Sequence, residues 1–289
     1  MGPARTDAPH RLTGARLGEW TGEDNGPALE NLSLTLATGR IVALVGENGS
    51  GKSTLVKLLC GLYQPDSGRI LWDGVDAREA DRQELVSRVA VVGQDFYQWP
   101  FTAAANVGIG RTDEPFDTAR LERSAASAGA DRLIEGLPRG WRTLLARGYQ
   151  GGHQLSGGQW QRIGIARAHY RGGEVLIVDE PTSALDARAE QQLFEQIRSL
   201  ADTGQTVVLI THRLGSVRAA DEIHVLESGK VVESGSFDAL MSDDHPGPGT
   251  FRALYGIQAA QYGVRAAEVP AARTAPADLA GGWNSSADL

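Results

Sequence analysis

The feature that most constrains this chain is an apolar run, Ile41–Val45, followed at once by Gly46-Glu47-Asn48-Gly49-Ser50-Gly51-Lys52-Ser53-Thr54 and then by the apolar Leu55–Leu59. A strand that is apolar at every position must be buried on both faces. That requires a layer of helix or sheet above it and another below. The glycines let the backbone curl so that successive N–H groups point inward around an anion. The helix that follows aims its positive end at the same point. The order G-x-x-x-x-G-K-[ST] between a strand and a helix is that of a phosphate-holding loop. In such a loop Lys52 reaches the β- and γ-phosphates, and the Ser53 hydroxyl is a hard oxygen suited to Mg2+. The loop signals a bound nucleotide without separating kinases, GTPases, ATPases and motors.

The rest of the chain supplies the layers. Ala28–Leu36 alternates like a strand with one buried face, and Arg69–Trp72, Val89–Val92, Val175–Val178 and Thr206–Ile210 read as further short strands. Arg188–Leu200 is an amphipathic helix, while Glu222–Leu226 and Lys230–Glu233 frame a Ser-Gly turn as a hairpin. Strands alternating with helices imply an α/β fold with a mostly parallel sheet covered on both faces. Residues 97–170 lose their β-branched runs and gain Ala, Arg and Leu, which predicts a mostly helical insert. Residues 1–11 read as a loose arm, and 257–289, rich in Ala, Pro and Gly, as a disordered tail.

Exclusions come from composition. Lys plus Arg is 28 against 36 Asp plus Glu, a net charge of −8, which argues against nucleic acid as a partner. The single cysteine, Cys60, excludes a disulfide framework and a Cys-based zinc cluster. No apolar run approaches the roughly 18 residues of a membrane span, and the first residues carry no apolar signal core. The expectation is a cytosolic protein without a membrane segment of its own.

Two patterns narrow the chemistry. Val175–Glu180 is an apolar strand ending in two carboxylates. Asp179 there is placed to serve Mg2+, and Glu180, facing elsewhere, to polarise an attacking water. Leu155-Ser156-Gly157-Gly158-Gln159 precedes a long helical stretch. Ser156 and Gln159 fit a helix capping box. The paired glycines do not, since they weaken a helix start; they suit a helix end that an anion approaches closely.

The phosphate loop, LSGGQ and VLIVDE, in this order, resemble the nucleotide-binding domain of ATP-binding-cassette proteins. Other family motifs match as well: Gln94 in VVGQDF as the Q-loop glutamine, Ser183-Ala184-Leu185-Asp186 as the D-loop, and His212 in LITHR as the switch histidine. Trp20 lies where family members stack an aromatic on adenine, although it can also simply pack on the first sheet. The match covers residues 12–256. It implies a P-loop NTPase core over 12–96 and 171–256, a helical subdomain over 97–170, and an antiparallel β subdomain.

The resemblance also implies the working parts. ATP is held by Trp20, by Gly46, Glu47, Asn48, Gly49, Ser50, Gly51, Lys52, Ser53 and Thr54, and by Gln94. Mg2+ is held by Ser53, Gln94 and Asp179. Catalysis falls to Glu180 as general base, His212 at the γ-phosphate, and Lys52. Two cassettes, alike or different, close head to tail, so that Ser156, Gly157, Gly158, Gln159 and Asp186 meet the ATP of the opposite cassette. A membrane-spanning permease supplied by another chain completes the machine, with this chain peripheral on the cytoplasmic face.

The branch looks exporter-like and bacterial. Gly136–Gln159 has the G-L-P-x-G-[WY]-x-T stretch that leads through a short loop to LSGGQ in exporters, and Asp95-Phe96, Cys60-Gly61-Leu62-Tyr63 and Leu254-Tyr255 agree. Tyr97–Phe101 reads as a core cluster or as a surface for the transporter's coupling helix, and the resemblance favours the surface. Two departures stand out. Thr102-Ala103-Ala104-Ala105 replaces Thr-x-x-Glu, and Ala146-Arg147-Gly148-Tyr149 replaces a Val-Gly-Glu-type run. Competing readings are a soluble cassette ATPase of cofactor assembly or of chromosome or repair work, and a non-catalytic regulatory or binding cassette. The intact Lys52, Asp179, Glu180 and His212 speak against the latter.

Overall fold

The computed structural model describes residues 10–17, 27–93, 97–181 and 187–261. The first part of the chain gives strands β1 His10–Leu17, β2 Leu29–Leu36 and β3 Ile41–Val45, helix α1 Lys52–Leu59, strands β4 Ser67–Trp72 and β5 Val75–Asp76, helix α2 Arg82–Ser87 and strand β6 Val89–Val92. The middle is helical: α3 Ala103–Gly108, α4 Thr118–Ser127, α5 Asp131–Glu135 and α6 Gly157–Arg171. The last part runs β7 Val175–Asp179, α7 Ala187–Asp202, β8 Thr206–Ile210, β9 Glu222–Glu227, β10 Lys230–Gly235, α8 Phe237–Met241 and α9 Thr250–Gln261.

Six strands form the central sheet in the order β10-β9-β3-β8-β7-β6. All neighbours are parallel except the β9–β10 hairpin. The run Ile41–Val45 sits in the middle, and its residues divide as period-two geometry demands. Ile41, Ala43 and Val45 pack with Val107, Leu121, Ile163, Leu193 and Phe251 in a helical layer. Val42 and Leu44 face the other way, onto Leu55, Leu58 and Leu59 of α1 and onto the second sheet. Each of the larger side chains, Ile41, Val42, Leu44 and Val45, contributes about 1.5–3 kcal/mol through burial, so both layers are anchored on one strand.

The second sheet is antiparallel, in the order β2-β1-β4-β5. Its buried residues include Leu32, Leu34, Leu36, Ile70 and Trp72. β2 alternates only from Leu32 onward. Asn31, at φ 50°, shifts the phase, so that Leu29 and Leu32 are both buried.

The described structure differs from the sequence reading at both ends. β1 begins at His10, inside the stretch read as an arm. His10 is buried against Trp72, with ring centroids 4.3 Å apart. Helix α9 runs to Gln261, past the boundary at 257, because Ile257-Gln258-Ala259-Ala260-Gln261 is good helix-forming sequence and Ala259 is buried. Residues 262–289 lie outside the described residues. Among the described residues no helix is long and apolar enough to cross a membrane.

Candidate active site

The parallel strands β3, β7 and β8 all release their chains at the same, carboxyl, edge of the sheet, where open α/β sheets place their ligands. After β3 comes the phosphate loop. Gly46 has φ 150°, and a Cβ there would stand 2.2 Å from the Leu226 carbonyl oxygen and 2.8 Å from Ser50 Oγ, so only glycine fits. Gly51, at φ 100°, starts α1 without any side-chain cap. The first N–H groups of that helix therefore lack a partner within the helix or from a cap. The Lys52 ammonium folds back over the loop, donating to the carbonyls of Gly46 and Glu47 at 2.8 Å each and to Ser50 Oγ at 3.2 Å. Ser53 is exposed at the helix start.

After β7 come the two carboxylates. Asp179 stays in the ladder opposite Ile210. Glu180, at φ 50°, turns the chain out of the strand, its N–H donating to the Ile210 carbonyl at 2.8 Å. A non-glycine residue in this region carries strain of order 1–3 kcal/mol. The turn separates the two acidic side chains. Glu180 Oε1 accepts the N–H of His212 at 3.0 Å, and Oε2 lies 2.7 Å from His212 Nδ1. Glu180 is largely covered, whereas His212 is more than half exposed.

Lys52, Asp179 and Glu180 act on one another electrostatically. Burial pushes Lys52 below the usual lysine range, while the Glu180 and Asp179 charges pull it up. Burial pushes the Asp179 carboxyl up, Glu180 adds to that, and Lys52 opposes it. Burial also raises the Cys60 thiol to about 11, so it fills space beside the core rather than acting as a nucleophile.

The donor chemistry fits a hard cation brought with phosphate. Asp179 and Ser53 offer oxygens, and Mg2+ commonly takes one or two protein oxygens, substrate phosphates and water. Among the described residues no cluster of three or more His, Cys, Asp or Glu forms a closed metal cage.

A cleft of about 500 Å³ joins these parts, lined by Gly46, Glu47, Asn48, Glu180, His212, Leu214, Leu254 and Gln258. The last two belong to α9. The sequence reading took Leu254 only as a mark of the branch and assigned Gln258 to the tail. A lone glutamine in an Ala-rich helix carries no local signal; only the packing of α9 against the loop after β8 reveals it.

The LSGGQ segment starts α6. Ser156 is the N-cap and the capping box is complete: the Gln159 N–H donates to Ser156 Oγ at 3.4 Å and the Ser156 N–H to Gln159 Oε1 at 2.8 Å. Ser156 and Gly157 are exposed. Gln161, two residues on, donates its side-chain amide to the Pro181 carbonyl, tying this helix to the turn after Glu180. Arg167 of the same helix donates to the carbonyls of Asn106, at 2.8 Å, and Tyr97, at 3.2 Å. Asn106 in turn holds the carbonyls of Trp99 and Phe101. The sequence reading named none of Gln161, Arg167 and Asn106. Trp20, Gln94 and Asp186 lie outside the described residues.

Residues 29–183 match the family model described as ABC transporter. An ATP-dependent lipid A-core flippase of Chromohalobacter salexigens is 39% identical over 256 residues, covering 89% of this chain and 42% of that protein. Multidrug resistance protein homolog 65 of Drosophila melanogaster is 42% identical over 212 residues, 73% of this chain and 16% of that protein. A solved structure of a bacterial Atm1-family ABC exporter with ATP bound aligns with a TM-score of 0.77 and 32% identity, over 89% of this chain and 42% of that one. The chain thus spans less than half the length of these relatives. With the matched model covering more than half of the chain, and with the fold and loop order found above, the chain belongs to the ABC transporter family.

Proposed function

We propose that this chain is the ATP-binding and ATP-hydrolysing cassette of an exporter, and that two cassettes close head to tail over two ATP molecules. The observation that carries this is the Glu180–His212 pair, 2.7 Å apart, in the same cleft as the start of the phosphate loop. In the proposed reaction the α1 N–H groups and Lys52 take the β- and γ-phosphates, exchanging the loop carbonyls for phosphate oxygens. Glu180 accepts the proton of the attacking water. His212, held against it, contacts the γ-phosphate. Ser53, Asp179 and Gln94 would hold Mg2+, which when bound would neutralise phosphate charge. Positioning and electrostatics then carry the phosphoryl transfer.

Trp20 stacks on adenine in this reading. Ser156, Gly157, Gly158, Gln159 and Asp186 complete the site of the opposite cassette. Closure with ATP and opening after hydrolysis form a ligand-driven shift between two states. The exposed side chains of Tyr97 and Phe101 belong to the surface that receives a membrane-spanning partner, which places the chain peripherally on the cytoplasmic face of the membrane. Glu180→Gln tests the core of the proposal. The variant should bind ATP, stall turnover and run as a dimer in sizing with ATP and Mg2+. Hydrolysis at the wild-type rate would sink the assignment.

A further inference from the structure

The imidazole of His212 is more than half exposed and touches the body of the protein through Glu180. Its position therefore depends on the loop backbone beneath it. That loop is gripped by one side chain of α9. Gln258 Oε1 accepts the N–H of Leu214 at 2.9 Å, and Gln258 Nε2 donates to the His212 carbonyl. A single amide thus spends its acceptor and a donor on backbone groups two residues apart. The other side of the loop is tied to α7: Ser216 Oγ donates to Glu190, and Arg213 Nη1 lies 3.6 Å from the same carboxylate.

Helix α9 does not need Gln258 to stay in place. The buried Glu233 of β10 accepts the N–H groups of Gly249 and Phe251, the latter at 2.7 Å, and puts a negative charge at the helix N-terminus. Phe251 is fully buried and meets Phe237 edge-on at 5.7 Å, and Tyr255 meets the same ring at 5.4 Å. With the helix secured at one end, the amide near its other end is left to act on the loop.

We propose that Gln258 is a positioning residue for His212, fixing the loop so that the imidazole stays against Glu180 in the cleft that both line. The inference rests on the ATPase reading of that cleft. Small displacements of a reacting group are costly; about 1 Å is worth up to about 100-fold in rate.

The test uses the full chain. Gln258→Leu keeps size and helix propensity and loses both bonds. Gln258→Glu keeps the acceptor for Leu214 and loses the donor. The Leu variant should lower kcat for ATP hydrolysis about tenfold or more, with KM for ATP unchanged and Tm lowered by only a few degrees, and the Glu variant should fall between. In a His212→Ala background, single-turnover hydrolysis should lose nothing further on adding Gln258→Leu, since coupled residues are non-additive. Wild-type turnover by Gln258→Leu, full additivity with His212→Ala, or a joint fall in Tm and rise in KM at constant kcat would each overturn the proposal. A wild-type chain that hydrolyses no ATP would instead sink the parent reading.

Discussion

Helices α1 and α6 both begin in glycine-rich sequence, yet their N-terminal ends are built differently. α1 starts at Gly51 with no side-chain cap, so its first N–H groups wait for solvent or an anion, and Lys52 is parked on two carbonyls of its own loop. α6 starts at Ser156 with both bonds of a capping box made. Its end is satisfied from within while Ser156 and Gly157 remain exposed. The contrast suits the two different duties proposed for these helix ends. An end that takes a nucleotide inside its own cassette can leave its donors to the ligand. An end that meets a nucleotide only when a second cassette arrives must hold its shape in water until then.

The contrast can be broken most sharply with two variants. Lys52→Met should weaken ATP binding to the single cassette by about 100-fold, near 3 kcal/mol, as expected for a charge-assisted contact. Equilibrium titration with a fluorescent ATP analogue measures it, and the rise in Tm that ATP gives the wild type should vanish. Ser156→Arg should do the opposite: affinity of the single cassette unchanged, steady-state hydrolysis abolished. A collapse of affinity in Ser156→Arg would put both helix ends in one site and remove the distinction.

Ser156→Ala sharpens it at smaller scale. Losing an N-cap of this kind costs about 1 kcal/mol, or roughly 2–4 °C in Tm for a chain of this size. The loss should appear without nucleotide, because the box forms without any ligand. A Tm change seen only with ATP would mean that the cap is made by the partner cassette instead.

Much of both helix ends was legible, including the Ser156–Gln159 capping box. The run Ile41–Val45 and the residues Gly46–Ser53 are local in sequence, and their chemistry follows from their order. Asp179 and Glu180 were readable for the same reason. What was not visible was how the pieces hold one another. The backbone turn at Glu180 that points its carboxylate at His212 depends on β8 lying beside β7. Gln161, Arg167 and Gln258 act on carbonyls more than 19 residues away, and no spacing rule names those partners. β1 was missed because HRLTGARL is polar for a strand; it is held by backbone pairing to β2 on one side and β4 on the other.

A third helix start gives the smallest and most controlled test. α3 begins at Thr102, whose Oγ1 accepts the Ala105 N–H at 3.2 Å. Ala105 has no side-chain acceptor to return the bond, so this is half of the device that α6 has in full. Ala105→Glu should complete the box and place a negative charge in the first turn of the helix. The gain should be about 0.5 kcal/mol, or roughly 1–2 °C in Tm. Ala105→Gln, which supplies the acceptor without the charge, should gain less. In a Thr102→Ala background the Ala105→Gln gain should vanish and the Ala105→Glu gain should shrink to its charge part if the box is a reciprocal pair. If Ala105→Glu stabilises just as much without Thr102, the charge alone is responsible, and the completeness of the box at Ser156 then says little about why α6 holds its end in water.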